Sequence, residues 1–254
     1  MSSGIKRRHS INFINKASFL KVMLSIIIPT LNEEKHLPRL LKSIKSNKLK
    51  DFQIIVADTN SKDNTKKIAK RFGCKITKGG NHPGIARNSG AKSAKGDLLF
   101  FIDADCNINN IFFKNALNEI KTKKLDIAGC FVWPQTKSIF VKSQFLIYNT
   151  WIFLTQSFYA NASGHGIFCK TEIHNKIKGF DERIKLSEDM DYVKRASRLG
   201  KFRILKSVKI QTSARRFEED GYLKTGIKLL LSAFYRLIFG EIRNDIFKYK
   251  FEHK

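Results

Sequence analysis

The sequence predicts an α/β fold with a mainly parallel central sheet flanked by helices. Three observations carry that expectation. Two β-branched runs, LSIIIPT (Leu24 to Thr30) and DFQIIVAD (Asp51 to Asp58), read as strands. Between them Leu37, Leu40, Leu41 and Ile44 recur at helical spacing, which makes a βαβ unit. A third short strand near Lys75 to Thr77, a helix from about Gly84 to Ala94 and a strand from Asp97 to Ile102 continue the alternation. In such sheets ligands bind beyond the carboxyl ends of the strands. Pro29, Asp58 and Asp103 fall at three such ends, so segments far apart in the chain meet at one crevice.

At 254 residues and 42% hydrophobic, the chain can bury one substantial core with appendages. The expected division is a basic extension over 1–22, a main α/β domain over 23–221 and an amphipathic helical segment over 222–254. The extension carries five basic residues and no acid, and Asn12, Asn15, Lys16 and Ser18 break its apolar stretch, so it is a poor secretory signal. It reads either as an arm touching anionic lipid or as an extension the fold does not need. Cys74, Cys106, Cys130 and Cys169 are widely spaced, with no CxxC pair and no partnering His spacing. They are expected to be reduced thiols in a cytosolic setting, neither a zinc site nor a disulfide framework. The net charge of +26 admits nucleic acid or anionic lipid as a partner. It is spread along the whole chain, however, without the aromatic interleaving of an RNA-binding sheet or a DNA-reading helix. A general basic bias with a local membrane role is favoured, and no nucleic-acid partner is expected.

The chemistry concentrates in FFIDADCNI, Phe100 to Ile108, an apolar run ending in Asp103 and Asp105. In extended backbone, residues two apart point the same way, so both carboxylates can converge on one hard cation. The competing reading is a pair of aspartates that caps a turn or the next helix.

LSIIIPTLNEE (Leu24 to Glu34), VADTNSKDNT (Val56 to Thr65), GIARNSGAKSAKGD (Gly84 to Asp97), FFIDAD (Phe100 to Asp105) and LSEDMDY (Leu186 to Tyr192) together resemble the family 2 glycosyltransferases of the Rossmann-like GT-A fold. The resemblance covers roughly Met23 to Arg216 and makes 23–221 the catalytic domain. It implies a nucleotide-sugar donor, and it matches Asp103 and Asp105 to the family's DxD pair, with Mg²⁺ or Mn²⁺ bridging to the donor diphosphate. Asp58 matches the aspartate that contacts the nucleobase, and Arg87 a basic residue near the base and phosphates. Pro29, Thr30 and Glu33 match the first nucleotide-binding loop. Local alternatives are an Asx turn for Asp58, a solvated helix face for Arg87, and a first helical turn capped by Asn32 for the loop. Many relatives carry a second consecutive aspartate where this chain has Thr59. Asp189 matches the aspartate of the family's ED motif and is the expected general base, with Glu188 beside it; base-assisted single displacement inverts the anomeric centre. The alternative for this acidic cluster is electrostatic support of a helix N-terminus running to about Leu199.

TSARRFEEDG, Thr212 to Gly221, lacks the QxxRW signature of processive synthases, so transfer of a single sugar is expected. Arg215 and Arg216 in this stretch suit a phosphate, of donor or acceptor, as well as a solvated pair beside Glu218, Glu219 and Asp220. From Ser143 to Cys169 there is no charged residue, yet polar residues interrupt it too often for a spanning helix, leaving a buried or an interfacial helix. Leu223, Ile227, Leu230, Leu231, Phe234 and Ile238 form an apolar face opposite Lys224, Lys228, Ser232 and Arg236. That pattern suits an in-plane membrane helix or one whose apolar face packs on the domain. The histidines show no ligand spacing, though His165 in SGHG falls where an acceptor loop is expected. The combined expectation is a metal-assisted transferase at the cytoplasmic face of a membrane, acting on a lipid-linked acceptor or another glycan. The alternative is a non-catalytic basic binding or scaffold protein of the same fold.

Overall fold

The computed structural model describes residues 23–215, 221–244 and 246–247. The basic extension 1–22 and Arg216 lie outside the described residues. The strands are β1 (Leu24–Thr30), β2 (Phe52–Asp58), β3 (Lys75–Lys78), β4 (Leu98–Phe101), β5 (Cys106–Asn107), β6 (Ile127–Gln135), β7 (Ile167–Lys170) and β8 (Phe202–Ser213). The helices are α1 (Leu37–Ser46), α2 (Thr65–Arg71), α3 (Pro83–Lys92), α4 (Phe112–Thr122), α5 (Ile139–Thr155), α6 (Thr171–Lys176), α7 (Glu188–Ala196) and α8 (Tyr222–Phe239). One sheet runs in the order β3-β2-β1-β4-β7-β6-β8-β5. The first four strands of that order pair in parallel, as the βαβ alternation predicts. Beyond β4 the sheet is mixed: β7 runs antiparallel to both of its neighbours, β6 and β8 pair in parallel, and the short β5 runs antiparallel to β8.

The packing explains why LSIIIPT is continuously apolar instead of alternating. Ile26 and Ile28 belong to the core on one face of the sheet and Ile27 to the core on the other. Phe100 and Phe101 divide in the same way. A strand covered on both faces buries every side chain. Phe100 stacks on Phe168 of β7 at 4.1 Å, and on the opposite face Phe101 meets Phe180 and Tyr192 edge-on. Helix α1 buries the four predicted residues Leu37, Leu40, Leu41 and Ile44. Fully burying each of these stabilises by about 1.5–3 kcal/mol, which fixes the helix despite its lysine-rich outer face.

Helix α8 is oriented in a way the sequence pattern did not indicate. Ser232 is buried and the Arg236 side chain is 6% exposed, whereas Ile227, Leu231, Phe234 and Ile238 are all exposed. The expectation that Arg236 belongs to an outer polar face is therefore corrected, and so is the alternative that this apolar face packs on the domain. The side chains of Leu223 and Leu230 lie outside the described residues. Helix α8 meets α5 at Gly226, where an added Cβ would come within 2.8 Å of Gln144 Nε2. Past its end, Ile242 accepts a backbone hydrogen bond from Lys185, which ties α8 to the approach to α7.

Candidate active site

The strand ends converge as predicted, through loops laced to each other by polar side chains. After β1 the chain turns at Asn32, which adopts a left-handed φ of +54°, a conformation asparagine tolerates. Asn32 does not cap the following helix. Its Oδ1 accepts from Lys62 N across the crevice at 2.9 Å, and α1 starts later, with His36 at its N-cap. Glu33 N donates to Thr65 Oγ1 and Glu34 N to Asp63 Oδ2, so the β1 and β2 loops form one unit.

Asp58 sits behind this unit. It is buried, Oδ1 accepts from Ser61 N at 3.0 Å and Oδ2 from Thr30 Oγ1 at 3.2 Å. The bond from Ser61 closes the loop after β2 three residues on, and the neighbour that lines the cavity is Thr59.

The DxD segment is a tight turn fastened at both ends. Cys106 N donates to Asp103 O, and Ser213 N donates to Asp105 O, so β5 and the end of β8 hold the turn against the sheet. Asp103 and Asp105 both line a cavity of about 900 Å³. Arg87 of α3 reaches the same place from beneath. Its Nη2 donates to Asp103 Oδ1 at 2.8 Å and its Nη1 to Glu188 Oε1 at 2.6 Å, with the guanidinium over the Phe180 ring. Burial alone would lower the Arg87 pKa, but Asp103, Glu188 and Asp189 outweigh it and hold the guanidinium more firmly charged than usual. Arg87 is thus a buried cation joining the two acidic motifs, not a solvated helix residue.

Helix α7 carries Glu188, Asp189 and Asp191 in its first turn, where the helix dipole favours negative charge. Their side chains then diverge. Asp191 pairs with Arg195 one turn on, Glu188 turns to Arg87, and Asp189 faces the cavity. Asp189 Oδ2 accepts from Gly164 N at 2.6 Å and Oδ1 from Met190 N at 2.8 Å. Gly164 is required here, because a Cβ would lie 2.6 Å from Arg87 Nη2 and 3.2 Å from Asp189 Oδ2. Burial and the neighbouring Glu188 raise the Asp189 pKa, against the pull of Arg87 and the two backbone donors. A carboxylate raised in this way is a better proton acceptor than an ordinary surface aspartate. Beside it, His165 shares a hydrogen bond with Ser163 through Nδ1 at 2.5 Å, and its Nε2 lies 4.0 Å from Asp103 Oδ2.

The acidic end is completed by Glu33, which forms an ion pair with Arg215. Burial raises the Glu33 pKa to about 7; Arg215 opposes the rise, and Asp105 and Asp103 add to it. Glu33 Oε2 is buried without a hydrogen-bond partner. Three carboxyls therefore crowd one end of the cavity, with Asp103 and Asp105 presented to it. An oxygen-only donor set of this kind suits a hard divalent ion. Among the described residues, no group of three or more His, Cys, Asp or Glu side chains could hold a metal by itself.

The opposite end of the cavity is apolar and was not visible in the motifs. Tyr148 and Trp151 of α5, together with Tyr159, form an aromatic wall, with ring centroids 6.5 and 5.7 Å apart in succession. Ile227 and Arg236 of α8 line the facing side. Arg236 donates to both carboxylate oxygens of Glu241, and its Nη1 abuts Met190 Sδ, next to Asp189. The absence of charge from Ser143 to Cys169 was the sequence signal for this wall, but it did not indicate which aromatic residues turn inward.

Comparison with known proteins agrees with this fold. Residues 25–175 match the family model "Glycosyl transferase family 2". Over 95 residues the chain is 39% identical to a 4,4'-diaponeurosporenoate glycosyltransferase of Staphylococcus haemolyticus, covering 34% of this chain and 25% of that protein. Over 120 residues it is 28% identical to glycosyltransferase EpsJ of Bacillus subtilis, covering 45% of this chain and 35% of that protein. The chain thus spans about a third or less of these curated relatives. Among solved structures, the mannosyltransferase PcManGT from Pyrobaculum calidifontis, in complex with GDP-Man and Mn²⁺, superposes with a TM-score of 0.69 at 16% identity, covering 85% of this chain and 64% of that one. TarS of Staphylococcus aureus in complex with UDP-GlcNAc gives a TM-score of 0.63 at 22% identity, covering 82% and 65%. At these identities the structural likeness speaks to the GT-A fold alone. The family match extends over more than half of the chain and takes in β1 to β7, the DxD turn and Arg87, and on that ground the protein belongs to glycosyl transferase family 2.

Proposed function

We propose that the protein is a metal-assisted, inverting glycosyltransferase that moves one sugar from a nucleotide-sugar donor to a lipid-linked acceptor. The observation that carries this reading is the Arg87 bridge, which brings the DxD turn and the ED motif to one cavity as a single unit. The donor occupies the acidic end, with its nucleoside against Pro29, Thr30 and Thr59 and its diphosphate near Asp103 and Arg215. Asp58 supports this pocket from behind. A divalent ion, Mg²⁺ or Mn²⁺, held by Asp103 and Asp105 would neutralise the diphosphate as the glycosidic bond breaks. Asp189 takes the proton of the acceptor hydroxyl. Its two backbone donors fix the carboxylate, and each oxygen keeps a lone pair for the cavity. Glu188 is a positioning residue that holds Arg87 and, through it, Asp103. Attack from the side opposite the departing diphosphate inverts the anomeric centre.

The acceptor assignment rests on the apolar end of the cavity and on the exposed apolar faces of α5 and α8 beside it. Ile139, Leu146, Ile147 and Leu154 on α5 are all more than half exposed, as are Leu231, Phe234 and Ile238 on α8. No helix among the described residues is long and apolar enough to cross a membrane. Peripheral attachment at the cytoplasmic face, apolar side down with lysines towards anionic headgroups, fits this surface. The same assignment agrees with a 34% identity over 90 residues to a GalNAc(5)-diNAcBac-PP-undecaprenol beta-1,3-glucosyltransferase of Campylobacter jejuni.

A thermal-shift panel of UDP-, GDP-, dTDP- and CDP-sugars with Mn²⁺ or EDTA tests the donor reading. Ligand at a hundred times its Kd stabilises by about 2.7 kcal/mol, a rise of roughly 5–10 °C for a protein of this size. One nucleotide class is expected to give that rise in Mn²⁺ and much less in EDTA, and Asp103→Asn or Asp105→Asn should remove the difference. No shift with any donor, or an undiminished metal effect in both variants, refutes the reading.

A further inference from the structure

We propose that Arg236 of α8 and Tyr148 of α5 form a phosphate-binding subsite for a lipid phosphate, at the junction between the acidic end of the cavity and its apolar trough. The inference builds on the transferase reading of the same cavity. Its first support is the Tyr148 hydroxyl, which is buried without a hydrogen-bond partner although it belongs to a cavity-lining residue. Buried polar groups are nearly always satisfied, and one that is not, on a cavity wall, calls for a ligand atom. Asp189 and Arg236 line the same cavity as Tyr148, and their charges act on its hydroxyl. A ligand that satisfies it therefore lies in a cavity that also presents a carboxylate and a guanidinium.

The second support is the environment of Arg236. Its Nε and Nη2 are taken by Glu241, but Nη1 faces Met190 Sδ, and a thioether is a weak acceptor. A buried guanidinium with an under-used edge and an orphaned phenol lining the same cavity make a donor pair for a phosphoryl oxygen. The chemistry of the walls selects which phosphate. Phe145, Trp151 and Ile227 give the cavity apolar lining from α5 and α8, helices whose outer faces are apolar and exposed. A hydrocarbon chain can follow that trough outward, whereas a small water-soluble phosphate gains nothing from it. Glu241 counters the Arg236 charge in the free chain and sets a threshold that a weakly held anion does not pass.

Farnesyl phosphate, farnesol and inorganic phosphate, titrated against the full chain by tryptophan fluorescence, test this. Farnesyl phosphate is expected to bind at least roughly tenfold more tightly than either farnesol or inorganic phosphate, the range for hydrogen bonds to a charged group. Tyr148→Phe and Arg236→Gln should each lose most of that preference while farnesol binding stays the same. Tyr148→Phe removes an unpartnered hydroxyl and should melt no lower than the parent, so loss of affinity in that variant is not loss of fold. Equal affinity for farnesyl phosphate and farnesol, or an unchanged preference in Tyr148→Phe, overturns the proposal. Inorganic phosphate binding as tightly as farnesyl phosphate overturns its lipid part. If the nucleotide-sugar panel fails while the phosphate preference holds, the transferase reading falls and the subsite stands.

Discussion

Replacing Arg87 by Met is the perturbation that most directly tests whether the two acidic motifs are held as one unit. The Asp103 side chain is 28% exposed and that of Glu188 is 8% exposed, so loss of the cation strands Glu188 more severely. Removing one partner of a buried ion pair costs about 3–5 kcal/mol; because Asp103 can turn towards water, the lower end, about 3 kcal/mol, is expected. At roughly 2–4 °C per kcal/mol, the melting temperature should fall by about 6–12 °C. Circular dichroism or calorimetry reads this directly. A second variant, Arg87→Met with Glu188→Gln, removes the stranded charge and should melt higher than Arg87→Met alone, with a coupling of about 1–3 kcal/mol. If Arg87→Met melts within about 2 °C of the parent, or if the two substitutions simply add, the bridge is not what holds the motifs together.

Asp189→Asn should lower turnover by a factor on the order of 10² to 10⁴ with donor affinity nearly unchanged; weaker donor binding with turnover intact would place this side chain in the nucleotide pocket instead. The Glu33 carboxyl, raised from 4.5 to about 7, binds its proton more tightly in the folded chain, so its contribution to stability is fully present below pH 4.5 and is lost as pH rises through about 7. The loss should be on the order of 2–3 kcal/mol in metal-free buffer, and a Glu33→Gln variant whose stability follows the same pH curve would rule the assignment out. Leu231→Glu with Phe234→Glu should abolish binding to anionic vesicles while the melting temperature holds, because both side chains already face outward. Undiminished vesicle binding in that variant would move the attachment surface elsewhere.

Much of the fold was legible because the sheet imposes local rules. A continuous apolar run ended by proline, a leucine stripe at helical spacing, and a second run of the same kind admit few arrangements other than βαβ. Asp103 and Asp105 were legible as a pair following a strand. However, β4 ends at Phe101 and the backbone between them is a turn closed by Cys106 N on Asp103 O, so the turn and not strand alternation presents both to the cavity. Asp58 shows where such reading stops. A strand-end aspartate can face a ligand or fasten its own loop, and the choice depends on Ser61 N and Thr30 Oγ1, whose positions follow from loop geometry. Arg87 was assigned to the site but not to its partners. Its hydrogen bonds run to residues 16 and 101 positions away, a relation that no local pattern contains.

Helix α8 marks a different limit, because periodicity finds a stripe without saying what lies outside it. The rule that an apolar stripe faces inward assumes that the outside is water. Here the inward side holds Ser232 and Arg236, groups that a core would reject but a ligand cavity uses. Exposing Leu231, Phe234 and Ile238 to water forgoes about 1.5–3 kcal/mol for each side chain that full burial would supply, and an apolar stripe continuous along one helix is the pattern of an interaction surface. With a net charge of +26 on each chain, a second copy is repelled, whereas an anionic bilayer is attracted. The same helix then has two jobs set by one pattern. In the proposed function its apolar stripe is the lipid-facing surface, while its polar stripe brings Arg236 to Met190 and Asp189. In that proposal docking and acceptor recognition are joined through one helix, and a substitution that detaches α8 from lipid is predicted to act on acceptor use before it acts on the donor.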